Sequence, residues 1–420
     1  MLKRFLVVLA AAAAGFGLAQ YAARSGAPSW WPDRDRDRNV RYFREVLQLV
    51  RESYVEESGK VAYDGLTRAA LAGMLGELDP HSEFLSKDDF SRTAEELSNE
   101  FSGVGIQVEH RDGRIVVITP IADTPAERAG IRRGDQLVMV DGRAIDAPAT
   151  DKVVRLIRGE PGTEVQVTVY RPAADRTMDF TLKRERIRLN SVRNAALGPG
   201  GVGYLQITQF SERTGREFAT ALAQLERQGL RALVVDLRNN PGGLLDAAVD
   251  VCDAFFNPGE LIVYTQGRAA KSREEFTALG KHPPRNYPIA VLVNGGTASA
   301  AEIVAGALKD TRRAVVVGER TFGKGSVQSV FELRDGEGLR LTTARYYTPG
   351  GLTIHEKGIS PQVELEVPPD DEVRVRLQQS RADILQPAEF AERFGFEPIE
   401  DVQRQAAGEL LAGVLAMRGK

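Results

Sequence analysis

Cysteine is almost absent from this chain. Cys252 is the only one among 420 residues, so no disulfide can form within it and its stability rests on packing. Histidine is scarce as well: His81, His110, His282 and His355 are all there are. Neither a G-x-S-x-G elbow nor an H-E-x-x-H pair occurs, so the local signatures of a histidine-assisted serine hydrolase and of a zinc peptidase are both missing. Surface or structural roles suit all four histidines better. Charge of one sign is lacking too. Against 55 Lys and Arg stand 58 Asp and Glu, a formal net charge of −3, with no dense basic stripe, which argues against a nucleic-acid partner.

Long hydrophobic runs are limited to one place. Lys3 and Arg4 precede the apolar stretch 5–19, the pattern of a leader for export. Gly17-Leu18-Ala19 and Tyr21-Ala22-Ala23 each offer a cleavage site; if neither is used, the run is long enough to anchor the chain to a membrane. Residues 1–26 therefore read as a signal peptide or anchor, and the bulk of the chain is expected outside the cytoplasmic membrane, in the periplasm or cell envelope.

The chain beyond the leader exceeds one ordinary core. Residues 27–95 read as a linker, over 27–39, and then a helical region. In it Phe43, Val46, Leu47 and Val50 recur at helical spacing, and a second helix over 64–78 stops at Asp79-Pro80. Residues 96–185 change to short strands. Two of them meet at Asp112-Gly113, a hairpin signal, with short helices at 126–129 and 148–158. From 186 to 368 strands alternate with helices (211–228, 244–256, 299–309), as in an α/β layer of mostly parallel buried strands. Residues 369–420 are polar and helical. Val402, Ala406, Leu410, Leu411 and Val414 form a stripe that could pair with another helix or chain.

Two glycine patterns mislead. Gly198-x-Gly200-x-x-Gly203 copies the dinucleotide fingerprint, but a strand follows where a helix is required. Gly318-x-x-x-x-Gly323-Lys324 imitates a phosphate loop, but Gly325 stands where a hydroxyl should bind magnesium.

The stretch VNGGTASAAEIVAG, residues 293–306, is more informative. A small-residue turn carries Ser299 from the apolar run Ile289–Val293 to the head of a helix. Ser299-x-x-Glu302 is a capping box, with Thr297 as an alternative cap, so spacing alone leaves Ser299 open between cap and nucleophile. A hydroxyl beside unpaired helix amides has half of an oxyanion hole at hand. Such a serine needs a base, and with histidine unpromising a lysine is next. Lys324 lies between two glycines after the buried run 314–317. To serve near neutral pH its pKa must fall by roughly three units, about 4 kcal/mol in favour of the neutral amine, a shift that burial can supply. The turn Asn239-Asn240-Pro241-Gly242-Gly243 offers further amides for an anion.

The segments LDPHSEFL, FSGVGIQV, PAERAGIRRGDQLVMVDG, DLRNNPGG, VNGGTASAAEI and GERTFGKGSVQ occur in this order between residues 78 and 328. In these motifs the chain resembles the carboxyl-terminal processing (tail-specific) serine proteases. The resemblance implies an α/β multidomain fold: a crotonase-like α/β protease core over 186–368, an inserted β-rich PDZ domain with two helices over 96–185, and helical N- and C-terminal regions. It implies a Ser–Lys pair, with Ser299 as nucleophile, Lys324 as general base and Gln328 orienting the lysine. On a straight strand Gln328 would sit about 13 Å from Lys324, so a bend at Gly325 is required. The oxyanion amides map to Ala300 and to Gly242 or Gly243; Arg238, Asn239 and Glu302 fall on positions that shape the site. Gly103, Val104, Gly105 and Ile106 map to the PDZ loop that captures a peptide's terminal carboxylate. No metal or cofactor is implied. The partners implied are proteins with free apolar C-terminal tails and further copies of the chain, as dimer or larger ring; an adaptor protein stays open. A PDZ scaffold that binds tails without cutting is the rival reading, and the presence of both Ser299 and Lys324 argues against it.

Overall fold

The structure is a computed structural model that describes residues 34–55, 62–111, 113–121, 123–145, 150–269, 271–281, 284–381 and 386–418. The expected leader, the first part of the linker and His282 lie outside the described residues. The chain divides into two compact units, residues 1–84 and 85–420.

The first unit holds two helices, Arg34–Ser53 and Tyr63–Gly76. The first of them starts inside the expected linker. Its alternating charges explain why: Asp35 and Asp37 sit in the first turn, where the helix dipole favours anions, and Arg38 pairs with Asp35 one turn back.

In the second unit the strands Ile106–Arg111 and Arg114–Pro120 form the hairpin marked by Asp112-Gly113. Gln136–Val140, Glu164–Arg171 and Arg176–Lys183 extend the sheet. Helices Pro125–Arg128 and Thr150–Ile157 belong to the same domain, whose core is built from residues such as Val117, Val140, Val153 and Val167. A pair of strands with no clear pattern in the sequence, Glu100–Gly103 against Glu185–Arg188, joins the domain's two ends.

The α/β layer is a six-stranded sheet. Its order is Val192–Leu197, Val202–Ile207, Ala232–Asp236, Ile289–Val293, Ala314–Gly318 and Val363–Glu364, with only the first strand antiparallel. Ala232–Asp236 and Ile289–Val293 are buried throughout, as central parallel strands must be when both faces are covered. Thr214–Arg227, Leu245–Asp253 and Ala300–Asp310 pack in the cluster that holds Leu205, Val235 and Val291. Tyr204, Val234, Leu292 and Val317 belong to a separate cluster with Ala407 and Leu411 of the last helix, Val402–Arg418. Of the apolar stripe read from the tail, which could pair with another helix or chain, Leu410 and Leu411 are used on this sheet together with Ala407 and Leu415, while Val402 is exposed. Beside it the strand Gly338–Tyr347 runs antiparallel between Leu261–Gly267 and Ser326–Glu332.

Candidate active site

Each turn at the site leaves the carboxyl end of a central strand, where open α/β sheets place ligands. The strand Ile289–Val293 leads through Asn294-Gly295-Gly296 to Ser299 at the head of Ala300–Asp310. Ser299 has φ 54 and ψ −118, a conformation costly for any residue with a Cβ, on the order of 1–3 kcal/mol. Ser299 is the N-cap of this helix and forms its capping box with Glu302, and strained backbone of this kind is concentrated at functional sites. Ser299 is 8% exposed.

The neighbouring strand, Ala232–Asp236, leads into Asn239-Asn240-Pro241-Gly242-Gly243. Gly242 has φ 100, and a Cβ there would lie 2.7 Å from Ser299 Cβ and 2.9 Å from Ala300 N. Only glycine lets this turn close on the head of the serine helix. The Gly242 N–H donates to Asn240 Oδ1 at 2.9 Å and is therefore committed. Among the described residues the N–H groups of Gly243 and Ala300 donate to none.

Lys324 follows the third strand, Ala314–Gly318. The loop 355–358 approaches it so closely that a Cβ on Gly325 would lie 2.2 Å from His355 N. That packing half-buries Lys324. Burial first, and then the positive charge of Arg340, lower its pKa from the ordinary lysine value. Among the described residues no carboxylate pairs with its ammonium, so nothing restores the charged form.

One side chain ties these parts together. Glu302 is fully buried, and its Oε2 accepts from Ser299 N–H at 2.8 Å and from Lys324 N–H at 2.9 Å. Both bonds end on the same oxygen, so the two backbone nitrogens are no farther apart than those bonds laid end to end. Glu302 Oε1 accepts from Gly323 N–H at 2.8 Å and from the Thr321 hydroxyl. Burial raises the Glu302 pKa, and the four hydrogen bonds only partly offset it.

Gln328 lies beyond a bulge between Val327 and Gln328, and the chain bends before it, where Gly325 N–H returns to Gly323 O at 3.1 Å. Its Nε2 donates to Ser326 Oγ at 2.8 Å and to Thr342 Oγ1 at 3.3 Å. In the loop 103–106 the Val104 and Gly105 carbonyls accept from Ala126 and Ile121 N–H, while the amides of Val104 and Gly105 donate to none of the described residues. Gly103 ends the strand pairing with Glu185, and Ile106 opens the hairpin.

Rival chemistry finds little support. Cys252 is fully buried, and burial with Asp253 beside it pushes its thiol pKa up, away from a reactive thiolate. His355 Nε2 lies 3.8 Å from Glu356 Oε1. The glycine pattern over 198–203 opens a strand, and Lys324-Gly325 leads into another, so neither has the helix that phosphate binding needs.

Two residues of the quoted motifs take no role of their own from the sequence. Asn240 holds the turn 239–243 by an i to i+2 bond typical of Asx turns, a signal present in the turn's own composition. Asn294 Oδ1 accepts from Asn239 N–H at 2.8 Å and so joins the two turns, which no local pattern reveals.

Residues 201–365 match peptidase family S41 and residues 102–182 match a PDZ domain. The chain is 38% identical over 386 residues to a carboxy-terminal-processing protease of Bartonella bacilliformis, covering 88% of both chains. It is 36% identical to the carboxy-terminal processing protease CtpA of Bacillus subtilis, over 77% of this chain and 68% of that one. Against a probable CtpA-like serine protease of Staphylococcus aureus it is 38% identical but spans 65% of that protein's length. A solved relative, the photosystem II D1 C-terminal processing protease, is 33% identical over 81% of this chain and 97% of that one, at a TM-score of 0.45. The chain belongs to peptidase family S41, the C-terminal processing serine proteases that carry a PDZ domain.

Proposed function

We propose that this chain is an exported endopeptidase that grips proteins by free apolar C-terminal tails through its PDZ loop and cuts them by acylation at Ser299. Neutral Lys324 takes the proton from Ser299 Oγ as the oxygen attacks the scissile carbonyl. The resulting oxyanion is met by Ala300 and Gly243 N–H. Collapse breaks the C–N bond, and Lys324 returns its proton to the leaving amine. Lys324 then takes a proton from a water whose oxygen attacks the acyl carbon; the acyl–Oγ bond breaks, and Lys324 returns that proton to Ser299 Oγ. Gln328, with its Nε2 on Ser326, keeps Oε1 to accept from the transient Lys324 ammonium. Export rests on the basic start and apolar run before residue 27, and the helical flanks are proposed to assemble copies of the chain.

The observation that carries this reading is the shared Glu302 oxygen, which joins the serine turn to the lysine turn in a half-buried pocket. The test is incubation of a protein bearing an apolar free C-terminus with the wild type and with Ser299→Ala. Cleavage by the first alone is expected; tail binding with no cleavage by either would leave a scaffold instead.

The pH dependence follows from the base. Only the neutral amine accepts a proton, so kcat/KM should rise with pH through the lowered Lys324 pKa and then level off. Arg340 contributes to the lowering, so Arg340→Gln should move the rising limb to higher pH. A limb that stays in place or moves down would separate it from Lys324.

The carboxylate loop makes its own prediction. A substrate whose tail is amidated loses the charge that the Val104 and Gly105 amides would hold. Its KM should rise by about tenfold or more, with kcat little changed, as expected for one charge-assisted anchor. Equal KM values for acid and amide would remove tail capture from the scheme.

A further inference from the structure

The segments after residue 368 reach the turns of the site through polar side chains. Arg238, one residue before Asn239, is 6% exposed and held by two carboxylates. Asp236 Oδ2 accepts from Nη2 at 2.6 Å, within the same strand end. Asp401, just ahead of the last helix, accepts from Nη1 at 2.8 Å and from Nη2 at 2.7 Å, a two-pronged pair. Burial alone raises the Asp401 pKa, but the hydrogen bonds and charge of Arg238 outweigh it, and the group ends below the usual carboxylate range.

The second turn is held in the same way. Asn294 Oδ1 takes Asn239 N–H and, at 3.1 Å, Gly296 N–H, while its Nδ2 donates to Glu372 Oε1 at 2.6 Å. Glu372 lies in the helix Pro369–Ser380, whose sole buried residue is Val375. A small cavity of about 130 Å3 opens beside these contacts, lined in part by Arg238, Asn239, Asn294 and Glu372. Where the C-terminal segments meet the two turns, the contacts are directed polar bonds, whereas the apolar packing of the last helix lies farther along, on the sheet.

We propose that Asp401 and Glu372 are positioning residues for the reaction: through Arg238 and Asn294 they set the spacing between the turn at 239–243 and the turn carrying Ser299, so the site is complete only when the C-terminal segments are docked. The proposal rests on the reading of Ser299 as nucleophile and Gly243 as oxyanion donor. It predicts that loosening the C-terminal bonds acts on the rate of acylation rather than on substrate binding, since neither residue lies in the PDZ domain.

The test uses the full chain with Asp401→Asn, Asp401→Glu and Glu372→Ala. Three quantities are measured: kcat and KM on a tailed substrate, the labelling rate of Ser299 by a fluorophosphonate probe, and amide hydrogen exchange by mass spectrometry. Asp401→Asn is expected to lower kcat and the labelling rate by about tenfold or more with KM within about twofold, a size that small misplacements of reacting groups produce. Exchange should quicken over 237–244 and not across the sheet, Asp401→Glu should recover part of the rate, and Glu372→Ala should quicken exchange at 294–300. Wild-type kcat with unchanged exchange at 237–244 would overturn the proposal. So would exchange that quickens throughout the sheet, since that is a merely structural role. If Ser299→Ala still cleaves, the functional reading fails instead, and exchange at 237–244 in Asp401→Asn still decides whether Asp401 holds the turn.

Discussion

Lys324→Arg is expected to be as inactive as Lys324→Ala. Both should fall by on the order of 10^4-fold in kcat/KM or more, close to the loss in Ser299→Ala, because groups that act as one unit fail together. A positive charge near the serine is not the requirement. The base must hold a free electron pair at working pH, and a guanidinium does not release its proton there. The pocket adds to the difficulty. Lys324 is half-buried, and Arg340 already opposes a second cation in it. The neutral form of lysine satisfies both constraints, whereas arginine can satisfy neither. The check is an initial-rate assay between mildly acidic and alkaline pH, with melting curves to show that each variant is folded. An arginine variant retaining even a few per cent of wild-type activity would remove Lys324 as the base.

Much of the core was legible because it obeys strong local rules. Ile289–Val293 is an unbroken apolar run and is buried on every residue; the helix read at 299–309 is found at Ala300–Asp310. Asp112-Gly113 announced a hairpin whose strands pair as expected. The helix boundary at Arg34 was obscured because charged residues satisfy the first turn through the dipole and through ion pairs, neither of which has an apolar period. The destination of Leu411 was hidden for a different reason. A stripe of apolar residues says that a surface must be found, not which one, and the uncovered face of the sheet lies far back in sequence.

The site divides along the same line. Ser299, Lys324 and the Asn-Pro-Gly-Gly turn sit in short motifs whose chemistry depends on near neighbours. Asn294, Asp401 and Glu372 contribute through bonds to residues that are 55, 163 and 78 positions away, so their meaning exists only in the folded chain. Glu302 belongs to both classes. Its capping-box spacing was visible, but the cap is the lesser part of its task.

Glu302→Ala should therefore cost far more than a helix cap. A lost cap costs roughly 1 kcal/mol. Removing this carboxylate strands the N–H groups of Ser299, Gly323 and Lys324 and the Thr321 hydroxyl in a buried place, at about 1–3 kcal/mol for each donor left unsatisfied. Glu302→Gln is the sharper variant because it keeps the volume. One of its two terminal atoms becomes an NH2 group facing donors that expect an acceptor, so one turn or the other must swing away. Ionisation itself does not favour the fold. Burial holds the Glu302 pKa above its unfolded value, so its contribution to stability is largest below the unfolded carboxylate range and is lost as pH rises through the folded value. All four contacts of the carboxylate come from donors, so the geometry calls for an acceptor with no proton of its own between the two turns. We expect Glu302→Gln to lose about 10^2-fold or more in kcat while remaining folded, since misplacement of the reacting groups by about 1 Å is enough for that. Thermal melts and single-turnover acylation rates measured on the same preparations would decide it. A glutamine variant that melts lower but acylates at the wild-type rate would reduce Glu302 to a helix cap.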